Sequence, residues 1–168
     1  FDWGEVKLFI DGKLRSFSLA VFTLAYSNER YARLYESETM ICVQDAHVKC
    51  IEYLSFVPNV FTYDNMRTVV KNFVGTDRFI TDGMKNVSLH YHFQIRLCEP
   101  RKGNQKGHVE RSVEYIRRKA FAHCDTFISL EEAQQYLISI IEKLNNRPHY
   151  LKEKTHHELM LEERAERA

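Results

Sequence analysis

The sequence predicts an α/β domain in which three antiparallel strands are extended by two parallel ones, with helices on both faces. Three observations carry that expectation. Strand-forming runs come first and are split by a single Asp-Gly. Helical periodicities follow, interrupted by two short apolar stretches. Gly (six) and Pro (three) are few, and no repeat or low-complexity segment occurs. The 168 residues suffice for one domain, 1–168, with a substantial core, and the 44% hydrophobic and 12% aromatic content excludes a disordered tail.

The elements follow in order. FDWGEVKLFI (1–10) and LRSFSLAVFTLAYS (14–27) are rich in aromatic and β-branched residues and flank Asp11-Gly12, a strong hairpin signal. Trp3 reads as core or hairpin packing rather than a base-stacking platform, and RYARLYES (30–37) as a third strand, with Tyr26, Tyr31 and Tyr35 packing in the sheet. Ser37 or Thr39 is positioned to cap a helix running to about Ser55, with Ile41, Val43, Ala46, Val48, Ile51 and Leu54 as its apolar stripe. Pro58 and Asn59 break the chain before NVFTYDN (59–65), a short buried strand. A helical region is expected over Arg78–His92, weakened by Gly83. FQIRLCE (93–99) is another short strand, ended by Pro100, and RKGNQKG (101–107) leads into the next helix. Ser129 and Glu132 have capping-box spacing before a helix whose stripe, Leu130, Ala133, Leu137, Ile140, Ile141 and Leu144, belongs to the core. NNRPH (145–149) ends it, and Thr155 and Glu158 repeat the capping box before a charged last helix.

Charge marks a further feature. The formal net charge of +1 argues neither for nor against nucleic acid, but from Arg101 to Lys119 seven Lys or Arg stand against two Glu. A solvated helix face gives such a run, and so does the footprint of a phosphate partner. Within it, KGHVERSVEYIRR (106–118) has amphipathic helical spacing, with Val109, Val113, Ile116 and Ala120 as its ridge. Glu110 sits beside that ridge among Lys106, Arg111, Arg117 and Arg118. Either it is paired with those neighbours, or it holds a cation beside something negatively charged.

Two other acids stand out. Asp2 lies on the first strand, and Asp64 ends the apolar run VFTY, where a charge is costly unless paired. In open α/β sheets, sites collect at the carboxyl ends of parallel strands. Convergent carboxylates there would bind Mg²⁺, which takes oxygen ligands and keeps waters and phosphate oxygens in its shell. Most isolated acids are surface charges or caps; Asp11, Asp45, Asp77, Asp82 and Glu114 read that way. Cys42, Cys50, Cys98 and Cys124 are scattered without metal-ligand spacing or a preceding signal peptide, so reduced, mostly buried thiols in an intracellular protein are expected. His90, His92, His108, His156 and His157 complete no four-ligand zinc set. No apolar run approaches a membrane span. The chain opens at Phe1 without an initiator Met and reads as a piece excised from a longer protein.

DWGE at Asp2, YDNMRTVV around Asp64 and RKGNQKGHVERSV around Glu110 resemble the DDE transposase and retroviral integrase superfamily, and within it most of all the IstA-type transposases of bacterial insertion sequences. LNNRPH (144–149) extends the likeness to nearly the whole chain. The resemblance implies an RNase H-like fold with a five-stranded mixed sheet flanked by helices. It assigns Asp2, Asp64 and Glu110 as the catalytic, metal-binding triad, holding two Mg²⁺ ions for which Mn²⁺ can substitute. The second and third acids stand 46 positions apart, longer than is common in retroviral integrases, with the extra length falling around Thr76–His92. Arg117 falls two helical turns after Glu110, where related enzymes carry a basic residue that touches DNA. Lys106, Arg111 and Arg118 join it as DNA-binding residues, with Asn65 and His108 in supporting roles. The implied reaction is cleavage at transposon ends followed by transfer of the 3′-hydroxyl into target DNA. The implied partners are transposon-end and target DNA, further copies of the chain and an AAA+ helper ATPase, with no membrane. The implied setting is the bacterial cytoplasm, at the nucleoid when acting. Members normally carry an N-terminal helix-turn-helix region and more chain after the core, so this chain is expected to hold the chemistry and lack most of the end recognition. A ribonuclease H-like nuclease acting on RNA·DNA hybrids and a catalytically silent DNA-binding or assembly module are the alternatives.

Overall fold

Asp11 and Gly12 both take positive φ, 51° and 76°, and close a two-residue turn between β1 (Asp2–Ile10) and β2 (Lys13–Thr23). Such a turn matches the right-handed twist of the strands it joins. The hairpin keeps register from Ile10↔Lys13 to Asp2↔Val21, and β3 (Arg30–Tyr35) adds antiparallel to β2 from Ser18↔Tyr35 to Thr23↔Arg30. The computed structural model describes residues 1–64, 66, 68–74, 77–98, 107–149 and 151–167, without the side chains of 72–74, 77, 78, 107–111 and 167.

The remaining elements are α1 (Met40–Leu54), β4 (Val60–Tyr63), β5 (Val70–Val74), β6 (Asp77–Ile80), α2 (Asp82–Tyr91) and β7 (Gln94–Leu97). They are followed by α3 (Gly107–Ile116), a π-helical turn (Arg117–Phe121), β8 (Thr126–Phe127), α4 (Leu130–Asn145) and α5 (His156–Arg167). The three antiparallel strands and the parallel pair are as expected, but they do not form one five-stranded sheet. The main sheet runs β3-β2-β1-β8, while β4 and β7 form a separate parallel pair and β5 and β6 a small antiparallel one. The physical reason is reach. β4 has four residues and touches the chain just before β1, where the Phe1 nitrogen donates to Thr62 O (3.0 Å). The far end of β1 is taken by β8, in parallel register Phe9↔Thr126 and Ile10↔Phe127.

The sheet separates two apolar layers. On one face Phe1, Ala20, Phe22 and Tyr31 pack with Val43, Ala46, Cys50 and Leu54 of α1 and with Phe61 and Tyr63 of β4. On the other, Val6, Leu8, Leu19 and Leu34 pack with Val113 and Ile116 of α3 and with Ala133, Leu137 and Ile141 of α4. This is period-two alternation in the strands meeting helical stripes on both sides. Thr39 is the α1 cap, its Oγ1 accepting from Cys42 N (3.4 Å). Ser129 Oγ accepts from Glu132 N (3.1 Å), and Thr155 and Glu158 exchange reciprocal bonds at the start of α5.

Several expectations are corrected. The helix expected over Arg78–His92 divides: its first residues form β6, and α2 starts only at Asp82, after the extended Thr81. Arg78, Phe79 and Ile80 pair with β5, so tertiary pairing overrides the helical reading there. Gly83 lies within α2, and the Met40 side chain of α1 packs directly over it, its Sδ 2.5 Å from where a Cβ would stand. Ile41 is 77% exposed, lying off the stripe that α1 turns inward. Tyr26 is exposed and packs under the Lys152 ammonium, 3.6 Å from its ring centre, rather than in the sheet. Asp45 is not a bare surface charge; its carboxylate accepts from Tyr35 Oη (2.6 Å) and lies 3.5 Å from Arg33. The helix expected over 106–118 ends at Ile116 and passes into the π turn, where Tyr136 Oη donates to Ala120 O (2.7 Å) and satisfies a carbonyl the ladder leaves over. None of the four cysteines is disulfide-bonded; Cys50 and Cys98 are buried and Cys42 and Cys124 half-buried. No helix among the described residues is long and apolar enough to cross a membrane.

The NNRPH segment clasps the β2–β3 turn. Asn145 accepts from Arg30 N (2.9 Å) and donates to Arg30 O (2.8 Å) and Tyr53 Oη (3.0 Å). Asn28 and His149 are 3.1 Å apart, and His156 Nδ1 donates to Ser27 O (2.8 Å), a carbonyl that can only accept. Glu29, 1% exposed, lies 3.4 Å from His157; burial raises its pKa to about 7 against the opposing pull of that histidine.

Candidate active site

Asp2 is the first residue of β1, half-buried, and its Oδ1 accepts the N–H of Trp3 (2.8 Å), which orients the carboxylate against its own strand. Phe1 and Trp3 pack edge to face on the α1 side of the sheet, with ring centres 5.5 Å apart. Strand alternation therefore turns Asp2 and Gly4 towards α3. Asp64 follows the last residue of β4 and is also half-buried. The Phe1–Thr62 hydrogen bond lies one residue before Asp2 and two before Asp64, so both acids follow closely on one contact between the two chain segments.

A buried histidine fixes the end of β4. His47 of α1 donates from Nδ1 to Val43 O (2.7 Å), which leaves Nε2 to accept Tyr63 O–H (2.7 Å), directly before Asp64. Burial lowers the His47 pKa to about 4, so the ring is neutral at pH 7. Tyr63 O also accepts Cys98 N (2.8 Å), which ties β4 to the end of β7.

Gly4 sets the position of α3. A Cβ at Gly4 would stand 2.4 Å from Val113 Cγ1 and 3.7 Å from Arg117 Nη2, so the helix sits directly on the strand. Farther along β1, Val6 and Lys7 face Arg117, Arg118 and Phe121 across a shallow cleft. The α3 helix and its π turn thus run in the same sense as β1. Residue 110 lies one turn before Val113, about 4.5 Å back along the axis, at the Asp2 end of the strand. The Glu110 side chain, with those of His108 and Arg111, lies outside the described residues, as do Asn65 and Lys106 entirely. Among the described residues no group of three His, Cys, Asp or Glu is placed to hold a metal.

The two described basic candidates differ. Arg117 is half-buried, its Nη2 3.9 Å from Glu114, and its Nε is buried with no acceptor among the described residues. Arg118 is exposed and lies over the Tyr115 ring, 5.9 Å from its centre. Sequence reasoning missed His47 and Gly4. The histidine hid inside a helical apolar stripe, and the close approach at Gly4 leaves no mark on local patterning.

No protein-family model matches the chain. Its sequence is 31% identical over 138 residues to a transposase of Aminobacter aminovorans, covering 82% of this chain and 27% of that one. It is 30% identical to the transposase for insertion sequences IS1326/IS1353 of Pseudomonas aeruginosa (82% and 27%) and 29% identical to that for IS21 of the same organism (81% and 35%). The chain thus spans about a third or less of the length of these curated relatives. Among solved structures it resembles the HTLV-2 integrase catalytic core domain in complex with magnesium (TM-score 0.68, 16% identity, 94% of each chain). It also resembles the BIV integrase catalytic core (0.67, 16%, 98% and 96%) and the simian T-cell lymphotropic virus intasome (0.71, 15%, 94% and 53%). At such identities these likenesses speak to fold, which is the RNase H-like α/β fold of integrase cores. With that fold, and with insertion-sequence transposases matched along most of its sequence, the chain belongs to the DDE transposase and retroviral integrase superfamily.

Proposed function

We propose that residues 1–168 are the catalytic core of a DNA transposase and part of a longer protein. Asp2, Asp64 and Glu110 form its metal-binding triad. The observation that supports this reading is the Phe1–Thr62 bond, made by residues one before Asp2 and two before Asp64, in a chain whose relatives are transposases. Two half-buried carboxylates at strand termini are oxygen donors of the kind Mg²⁺ selects. When bound, a pair of Mg²⁺ ions supplies activation of the attacking oxygen and stabilisation of the leaving one.

The chain's own part is positioning and charge. The Trp3 N–H holds the Asp2 carboxylate, the His47–Tyr63 pair holds the strand end that presents Asp64, and Gly4 lets α3 bring residue 110 to the same end. In the first step a water oxygen bonds to phosphorus at the transposon end, the P–O3′ bond breaks, and a 3′-hydroxyl leaves with the proton. In the second that hydroxyl attacks a target phosphodiester and displaces the target's own 3′-oxygen, so the number of phosphodiester bonds is conserved. No covalent bond to the protein forms; preorganised charge does the work. Lys106, Arg111, Arg117 and Arg118 neutralise phosphates, which positions DNA without reading its sequence. Asn65 and His108 support the site. The full protein acts as a multimer on paired ends, with an AAA+ ATPase, in the bacterial cytoplasm.

Glu110→Gln in the full-length protein tests the triad. Strand joining is expected to fall below detection while DNA affinity stays within about twofold. Undiminished joining removes Glu110 from the mechanism. Cutting of an RNA·DNA hybrid without joining of DNA ends would mark a ribonuclease H-like nuclease instead.

A further inference from the structure

Beyond the triad, we infer that the open flank of β1 is a second seat for the nucleic-acid backbone, with Lys7 as a phosphate-contacting residue; this rests on the transposase reading above. Three bonds define the flank. Phe1 N donates to Thr62 O, Phe9 N to Asp125 O and Asp11 N to Phe127 O, so the odd-numbered residues of β1 turn their N–H groups away from β2. Alternation turns the N–H groups of Glu5 and Lys7 the same way. Between the two anchors no strand covers that side of β1 among the described residues.

Opposite the flank stands the wall formed by the end of α3 and the π turn. The cleft between them has a volume of about 340 Å³ and is lined by Val6, Lys7, Glu114, Arg117, Arg118 and Phe121, with Ala122 at its end. Arg117 and Arg118 stand with Glu114 on the helix wall, while Lys7, whose side chain alternation turns to the other face from Val6, borders the cleft from the strand edge. Lys7 is exposed, and Arg117 Nε finds no acceptor among the described residues. An elongated groove with main-chain donors on one wall and guanidinium groups on the other suits a sugar–phosphate backbone, whose contacts come from Arg, Lys and backbone N–H groups. Lys7 borders the cleft five residues along β1 from Asp2, about 17 Å at 3.3–3.4 Å per residue. That length matches about five base steps at 3.4 Å each. Lys7 therefore meets a phosphate about five steps from the one at the acids.

The test measures binding of the chain to a 30-base-pair DNA duplex by fluorescence anisotropy, without divalent metal, from 50 to 200 mM KCl. Lys7→Gln is expected to weaken binding about three- to tenfold and to lower the magnitude of the log–log salt slope by about 0.9, the loss of one phosphate contact. Glu114→Gln, which removes the opposing carboxylate, should tighten binding. Lys13→Gln, an equally exposed lysine at the hairpin tip, should change neither quantity. Unchanged affinity and slope in Lys7→Gln, or an equal loss in Lys13→Gln, overturns the seat. If the parent chain binds and the full-length protein joins DNA while Lys7→Gln is neutral, the seat alone falls. If the parent chain shows no affinity for the duplex, the seat falls, and joining of DNA ends by the full-length protein decides the transposase reading separately.

Discussion

Gly4→Ala puts the contact between β1 and α3 to a quantitative test. The added methyl would stand 2.4 Å from Val113 Cγ1, against an ordinary carbon–carbon separation of about 3.5–4.0 Å. About 1 Å must be found somewhere. Val113 is 6% exposed, and a valine in a helix has one strongly preferred rotamer, so the side chain cannot swing aside and the helix must shift. Overpacking of this kind costs about 1–3 kcal/mol, reduced by about 0.5–1 kcal/mol because alanine suits a strand better than glycine. A net loss of about 1–2 kcal/mol is expected. Val113→Ala alone should cost about 2 kcal/mol, about 1.6 from the two carbons removed and the rest from the cavity. In that background the new methyl has room, and Gly4→Ala should become neutral or mildly stabilising. Urea unfolding of the four proteins, followed through the fluorescence of Trp3, the only tryptophan and the neighbour of the mutated residue, should give a coupling of about 2 kcal/mol. An equal cost of Gly4→Ala in both backgrounds would refute the tight contact. The same 1 Å shift would carry residue 110 away from Asp2; misplacement on that scale lowers rates by as much as about 100-fold. Joining by the full-length Gly4→Ala protein should therefore fall far more than its DNA binding.

Two further outcomes follow from the buried polar groups. His47 accepts a proton near pH 6.5 when unfolded but only near 4 when folded, so stability is full above about pH 6.5 and declines as pH falls towards 4, by about 3 kcal/mol in all. His47→Gln, which keeps a donor for Val43 O and an acceptor for Tyr63, should flatten that slope in urea titrations at pH 4.5, 5.5 and 7; an unchanged slope assigns the acid lability elsewhere. Asn145→Ala strands the N–H and C=O of Arg30 and the Tyr53 hydroxyl, three bonds with a combined cost of about 2–4 kcal/mol. The melting temperature should drop by about 6–12 °C in thermal unfolding, and a drop below about 2 °C would show that solvent replaces the clasp.

What could be read in the residues beforehand follows a physical boundary. The Asp11-Gly12 turn, the Thr39, Ser129 and Thr155 caps and the α4 stripe were legible because each is decided within a few residues. The β5–β6 pair was not, since Arg78–Ile80 is strand only through its partner. Nor was β8, whose two residues pair with a strand more than a hundred positions earlier. Asp2 and Asp64 were picked out by their chemistry, but the bond made just before each of them joins residues 61 apart and leaves no periodic trace. The π turn depends on Tyr136, which no local pattern links to Ala120.

The clasp on the β2–β3 turn has a consequence for how the chain is made. Ser27 O waits for His156, 129 positions later, and Asn28 for His149, 121 positions later. A ribosome adding about 5–20 residues per second releases the hairpin several seconds before its stabilising tail exists. During that interval the open edges of β1 and β3 lie exposed to pairing with other nascent chains. Synthesis near the end of the domain, not at its beginning, thus sets when the first three strands become safe from aggregation.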